Sequence, residues 1–116
     1  IMGDIVMTIK QLSKDKWSSF FSSFPKGGQY EEVHIEAISD KIGDQIDAEW
    51  EPLKEICFDA SNNELEITTK NVGHFIRAPS EVYVDETSSK QMMIEVLDSE
   101  GTKYILRIRN ALALAV

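Results

Sequence analysis

The residues of this chain best suited to chemistry are one cysteine, two histidines and a group of carboxylates. A thiol beside an imidazole can form a covalent nucleophile, so Cys57 with His34 or His74 is the first combination to weigh. Cys57 stands mid-run between Ile56 and Phe58, with no adjacent cation or helix start to activate it. It reads as a small, inert, partly buried thiol. His34 is surrounded in sequence by Glu32, Glu36, Asp47 and Glu49, and imidazole with carboxylates suits several divalent ions. His34 and Glu49 are the candidate metal ligands. A single histidine on a flat strand pattern argues for a solvated acidic face instead, and no cofactor is expected. The same carboxylates lack the pocket that acid–base work requires. Asp59 to Glu64 carries calcium-loop side chains without the loop's spacing or glycine, so it is expected to be a turn.

His74 and Arg77 bracket Phe75 and Ile76 in the least regular part of the chain, where binding residues tend to sit. With Tyr83 and Arg107 they are the candidates for holding a ligand. No phosphate loop, dinucleotide fingerprint, nucleophile elbow or His-Glu metal helix is present. The sequence therefore predicts a protein that is not an enzyme.

The elements that must position these residues are one helix and many strands. In Ser13 to Phe24, the residues Trp17, Phe20, Phe21 and Phe24 fall at i, i+3, i+4 and i+7, which puts the aromatic rings on one helical face. Ser13 is placed to cap this helix, Leu12 to staple onto Trp17, and Pro25 with Gly27-Gly28 to end it. From Tyr30 the period becomes two. Val33, Ile35 and Ala37 alternate with polar residues, as do Ile46, Ala48 and Trp50, which predicts a hairpin turning at Asp40 to Gly43. Sharing a face, these sets should pair Val33 with Trp50, Ile35 with Ala48 and Ala37 with Ile46. Glu32 is then set opposite Glu51, and Glu36 opposite Asp47, so the outer face needs a neighbour that is not acidic. Pro52 is expected to break the run.

A second hairpin joins Ile56–Asp59 to Leu65–Thr69 through Ser61-Asn62-Asn63, and short strands follow at 74–77 and 81–84. The last hairpin closes on Ser99-Glu100-Gly101 and pairs Val96 with Tyr104, Ile94 with Leu106 and Met92 with Ile108. Its outer face carries Lys103, Arg107 and Arg109, a basic stripe that could lie beside the acidic face of the first hairpin.

With 116 residues the chain is one domain, 1–116, in which 1–6 are expected to be disordered or derived from expression. The net charge of −8 disfavours nucleic acid, whose affinity is supplied by Lys and Arg, and disfavours anionic membrane surfaces. One cysteine allows no internal disulfide and fits a reducing compartment, so a cytoplasmic protein is expected. The apolar tail at 110–116 is far too short to span a bilayer, which takes roughly 20 residues. Leu112, Leu114 and Val116 alternate with alanine, a pattern suited to packing on a second copy; a homodimer is expected, with another protein as the other partner class.

Several stretches together resemble a family of short bacterial proteins of unknown function, a domain-of-unknown-function group. They are W-x-x-F-F at Trp17 to Phe21, Asp47-Ala48-Glu49, the run from Ile56 to Ile67, I-R-A-P-S-E-V-Y-V from Ile76 to Val84, and D-S-E-G-x-x-x-x-L-R-I from Asp98 to Ile108. The resemblance covers Met7 to Arg109, supports the order of elements and carries no activity. The fold class expected is α+β: an N-terminal helix packed on a strongly bent, mainly antiparallel sheet or partial barrel of about seven or eight strands. The expected function is a non-catalytic interaction or adaptor module, acting as a homo-oligomer; the alternative is a small-molecule-binding domain with its pocket between helix and sheet, and a small enzyme ranks third.

Overall fold

The computed structural model of the chain describes residues 9–70, 72–86 and 91–110. Among the described residues, eight strands form one open antiparallel sheet: β1 (Ile9–Leu12), β2 (Glu31–Ser39), β3 (Gly43–Asp59), β4 (Glu64–Thr69), β5 (Val72–Arg77), β6 (Pro79–Asp85), β7 (Gln91–Asp98) and β8 (Lys103–Asn110), in the order β1-β6-β7-β8-β2-β3-β4-β5. β3 is the spine. Its first part pairs with β2 as far as Pro52, and its second part pairs with β4 from Leu53 onward. The sheet folds over along this strand, so Val33, Ile35, Ile94, Val96, Leu106 and Ile108 of one half share a core with Ile56, Leu65, Ile67 and Ile76 of the other.

Pro52 does not break the strand as its chemistry led us to expect. Its missing N–H falls where one ladder ends and the next begins, and its carbonyl accepts a hydrogen bond from Lys70 N–H at 3.3 Å. At the other corner, one residue in the left-handed region, Ala78 with φ 53°, carries the chain from β5 into β6.

The α+β expectation is overturned: the described residues form a bent antiparallel sheet with one short α-helix. A 3-10 turn at Lys14–Lys16 leads into α1 (Trp17–Ser22), six residues in all. The hydroxyls of Ser19, Ser22 and Ser23 bond back to the carbonyls of Lys16, Ser19 and Phe20. Serine side chains that compete for backbone groups in this way disfavour a longer helix. The aromatic face behaves as its spacing predicts: Trp17 and Phe21 are buried, with Phe20 and Phe24 packed against the core. Trp17 meets Phe58 edge-on at 5.2 Å and donates Nε1–H to the Leu12 carbonyl at 2.9 Å.

The helix also has an edge to cover. Beyond Pro52, β3 loses β2 as a neighbour, and α1 packs against β3 while Gly27 N–H bonds the Lys54 carbonyl at 3.0 Å. Gly27 and Gly28, at φ 104° and 80°, turn the chain there in a conformation other residues rarely adopt.

The final hairpin has the register its alternation dictates, Val96–Tyr104, Ile94–Leu106 and Met92–Ile108, around Gly101 at φ 87°. In the first hairpin Ile35–Ala48 holds, but Val33 pairs with Glu51 and Ala37 with Gln45. β3 carries an extra residue at each of two shifts flanking Ile35–Ala48. A bulge reverses the face of whatever lies beyond it. Ile46 is therefore turned outward, 53% exposed, and Trp50, in the left-handed region at φ 51°, lies on the outer face while Glu51 turns inward.

Candidate functional site

Two groups of side chains gather around the bend of β3. On the outer face, β8 lies beside β2, and the basic stripe meets the acidic one as its spacing allows: Arg109 pairs with Glu32 at 2.9 Å and Arg107 with Glu36 at 3.6 Å. Glu95 takes Lys103 at 3.5 Å. The acidic face thus finds its neighbour within the chain. Half-exposed pairs of this kind are worth about 0–1 kcal/mol each. The Arg109 guanidinium also stacks on Trp50, 3.9 Å from the ring centre, with His34 against the same ring at 5.5 Å. His34 is thus occupied by packing. Glu49 is exposed, and among the described residues no three of His, Cys, Asp and Glu come together to hold an ion.

The inner face holds a hydrogen-bonded chain that the sequence did not reveal. Thr69, fully buried, donates its hydroxyl to Glu51 Oε1 at 2.9 Å and lies 3.0 Å from His74 Nε2. The hydroxyl has one proton, so His74 Nε2 must carry a hydrogen and donate it to Thr69. His74 is held inward by this chain. Glu31 lies on the same side of β2 as Val33 and Ile35, and burial raises its carboxyl above the usual range. The folded chain therefore holds this proton more tightly than the unfolded chain. The stability gained that way is present below the unfolded carboxylate range and lost as pH rises through the folded value. Glu31→Gln should melt higher than the parent near neutral pH, with the gain vanishing in acid. Equal gains at both pH values would show that burial is not the cause.

The four ligand candidates do not share one face. His74 points inward from β5, whereas Arg77 projects outward from the same strand, bonded to Glu64 at 3.2 Å with 85% of its side chain exposed. Tyr83, on β6 opposite Glu95, donates to Glu81 at 2.6 Å, a bond that raises its own pKa. Arg107 is two strands from Tyr83, engaged with Glu36. Leu112, Leu114 and Val116 lie outside the described residues. Cys57 is not partly buried as expected but exposed, on the outer face of β3 opposite Glu66, because it alternates with the buried Ile56 and Phe58. Asp59 closes its turn by accepting from Ser61 and Asn62, which lowers its pKa, so the calcium-like stretch is a turn.

Beneath the helix the space is filled by Trp17, Phe21 and Phe58. The grooves at its two sides, near Lys10 to Ser13 and near Ser18 to Ser22, are open to solvent.

What remains is the edge of β5. Ala78 N–H bonds the Asn63 carbonyl at 2.9 Å, and pairing in an antiparallel ladder alternates, so Ile76, His74 and Val72 direct their backbone groups to β4. Gly73, Phe75 and Arg77 direct theirs away from the sheet. Phe75 and Val72 are 49% and 54% exposed on this strand. An outward aromatic on a terminal strand was legible in the alternation of Phe75 with Ile76; that the strand is terminal was not.

The sequence profile of DUF5335, described as a family of unknown function, matches residues 8–116. The chain belongs to this family. The resemblance to a short bacterial group of unknown function therefore holds, and it extends through the tail at 110–116. A relative from Aquifex aeolicus (strain VF5), described as an uncharacterized protein, is 38% identical over 109 residues, spanning 93% of this chain and 98% of its own. The crystal structure of the Bacillus subtilis YojF protein is similar over 88% of this chain and 94% of its own, with a TM-score of 0.51 and 12% identity. At that identity the likeness is one of fold alone. Among the described residues of this DUF5335 chain, no helix is long and apolar enough to cross a membrane.

Proposed function

We propose that this protein is a non-catalytic interaction module that docks protein chains along the free edge of β5, in a reducing cytoplasm that its one exposed thiol suits. One observation carries the reading: among the described residues, the terminal strand β5 combines unpaired backbone groups with two exposed apolar side chains, Val72 and Phe75. Such an edge is a template for another strand, and proteins ordinarily blunt it. The other edges here are blunted. β1 carries Lys10, and α1 lies over the second part of β3. The middle of β5 has no charge directed outward, only Phe75.

A photo-crosslinking phenylalanine analogue at position 75, introduced into the full chain in its own host, tests this against the same analogue at the exposed turn residue Lys41. Protein adducts at 75 and not at 41 are the expected result. No adduct at 75 above that control would overturn the reading.

A further inference from the structure

Strand addition to β5 is selective about its partner, because the edge is short and its outward residues differ sharply. Only Gly73, Phe75 and Arg77 offer backbone groups. An antiparallel pair of identical strands related by a twofold axis must place one of these residues opposite its own copy. Centred on Arg77, the pairing sets like charges face to face. Centred on Gly73, it runs off the start of the strand at Val72. Centred on Phe75, it uses all three residues: ring meets ring, and Gly73 of each copy faces the partner's Arg77.

The side chains on the page suit that register. Glu66 lies across from Phe75, and its Oε2 stands only 2.7 Å from where a β-carbon on residue 73 would be, so the carboxylate lies over Gly73. A strand added at the usual spacing of about 4.8 Å brings the partner's Arg77 to that carboxylate. Arg77 can make the exchange, since its ion pair with Glu64 leaves most of the arginine side chain in water. We propose that a second copy of this chain occupies the edge, with the Phe75 side chains opposed across the twofold axis and Glu66 of each copy bound to the partner's Arg77. The assignment rests on the edge being the docking surface and goes beyond it by naming the occupant and the register.

Sedimentation of the purified full chain across a dilution series tests it. A dimer is expected, with Phe75→Lys shifting it to monomer while its melt stays cooperative. Arg77→Glu should weaken the dimer about tenfold, the equivalent of 1.4 kcal/mol, and adding Glu66→Arg should recover it. On a Cys57→Ser background, Phe75→Cys should form an intermolecular disulfide on oxidation, because opposed strand positions about 5.5 Å apart at Cα suit that bond. A dimer that survives Phe75→Lys, or oxidation that leaves Phe75→Cys uncrosslinked, would overturn the register. A chain that stays monomeric would overturn the second copy as occupant. Adducts from position 75 to a different protein would still uphold the docking edge, so the two readings fail separately.

Discussion

Trp17→Ala is expected to destabilise the fold by about 3–5 kcal/mol, the usual range for deleting a large buried aromatic. The indole is 2% exposed, its ring meets Phe58, and its N–H satisfies the Leu12 carbonyl. The loss has three sources: transfer of the ring to water, the cavity left behind, and a carbonyl without its donor. The helix cannot collapse to fill the gap, because Gly27 ties the segment after it to Lys54 on β3. Removing the ring also loosens the cover over the part of β3 that β2 does not reach, so the variant should aggregate more readily on partial unfolding. Trp17→Phe keeps most of the buried area and should lose substantially less. Urea melts of the three proteins decide it. A loss below about 1 kcal/mol for alanine, the scale of an ordinary surface change, would mean that the ring is not part of the core.

Thr69→Val should cost about 1–3 kcal/mol even though valine fills the same space, because two polar groups lose a shared partner. Glu51 would keep its carboxylate turned inward without the hydroxyl, and His74 Nε2 would be left with no acceptor. Threonine is fully buried at this position, so water cannot readily replace it. Thr69→Ser restores the hydroxyl at the cost of one methyl, about 0.8 kcal/mol. The expected order of stability is therefore threonine, then serine, then valine. Valine equal to the parent would show that the chain Glu51–Thr69–His74 contributes nothing net. The network pins β3, β4 and β5 together at the bend, so its loss should also loosen β5 from β4, read as faster amide exchange at His74 and Ile76, whose backbone groups bond that neighbour.

Much of the architecture was legible because it depends on local periodicity. Alternation around Gly101 set the register of β7 and β8, and the spacing of Trp17, Phe20, Phe21 and Phe24 marked a face that is core. The extent of the helix was less legible. Aromatic spacing reports which face is buried, whereas length depends on where flanking serines turn their hydroxyls back on the backbone. Eight strands then supply the layers that an α+β reading had divided between helix and sheet.

The chemistry around His34 and His74 shows the limit most clearly. Residue types alone determined that the chain has few candidate catalytic groups, an acidic run on one hairpin and a basic run on another. They could not determine which groups meet. Two bulges in β3, one with Trp50 in the left-handed region, reverse the alternation on either side of Ala48. That reversal sends Trp50 out to Arg109 and His34, and brings Glu51 in to Thr69. A period-two pattern has no way to register an inserted residue, since the insertion becomes favourable only when the whole sheet bends. The same holds for β5: its sequence makes it a strand, but only the order of all eight strands makes it an edge.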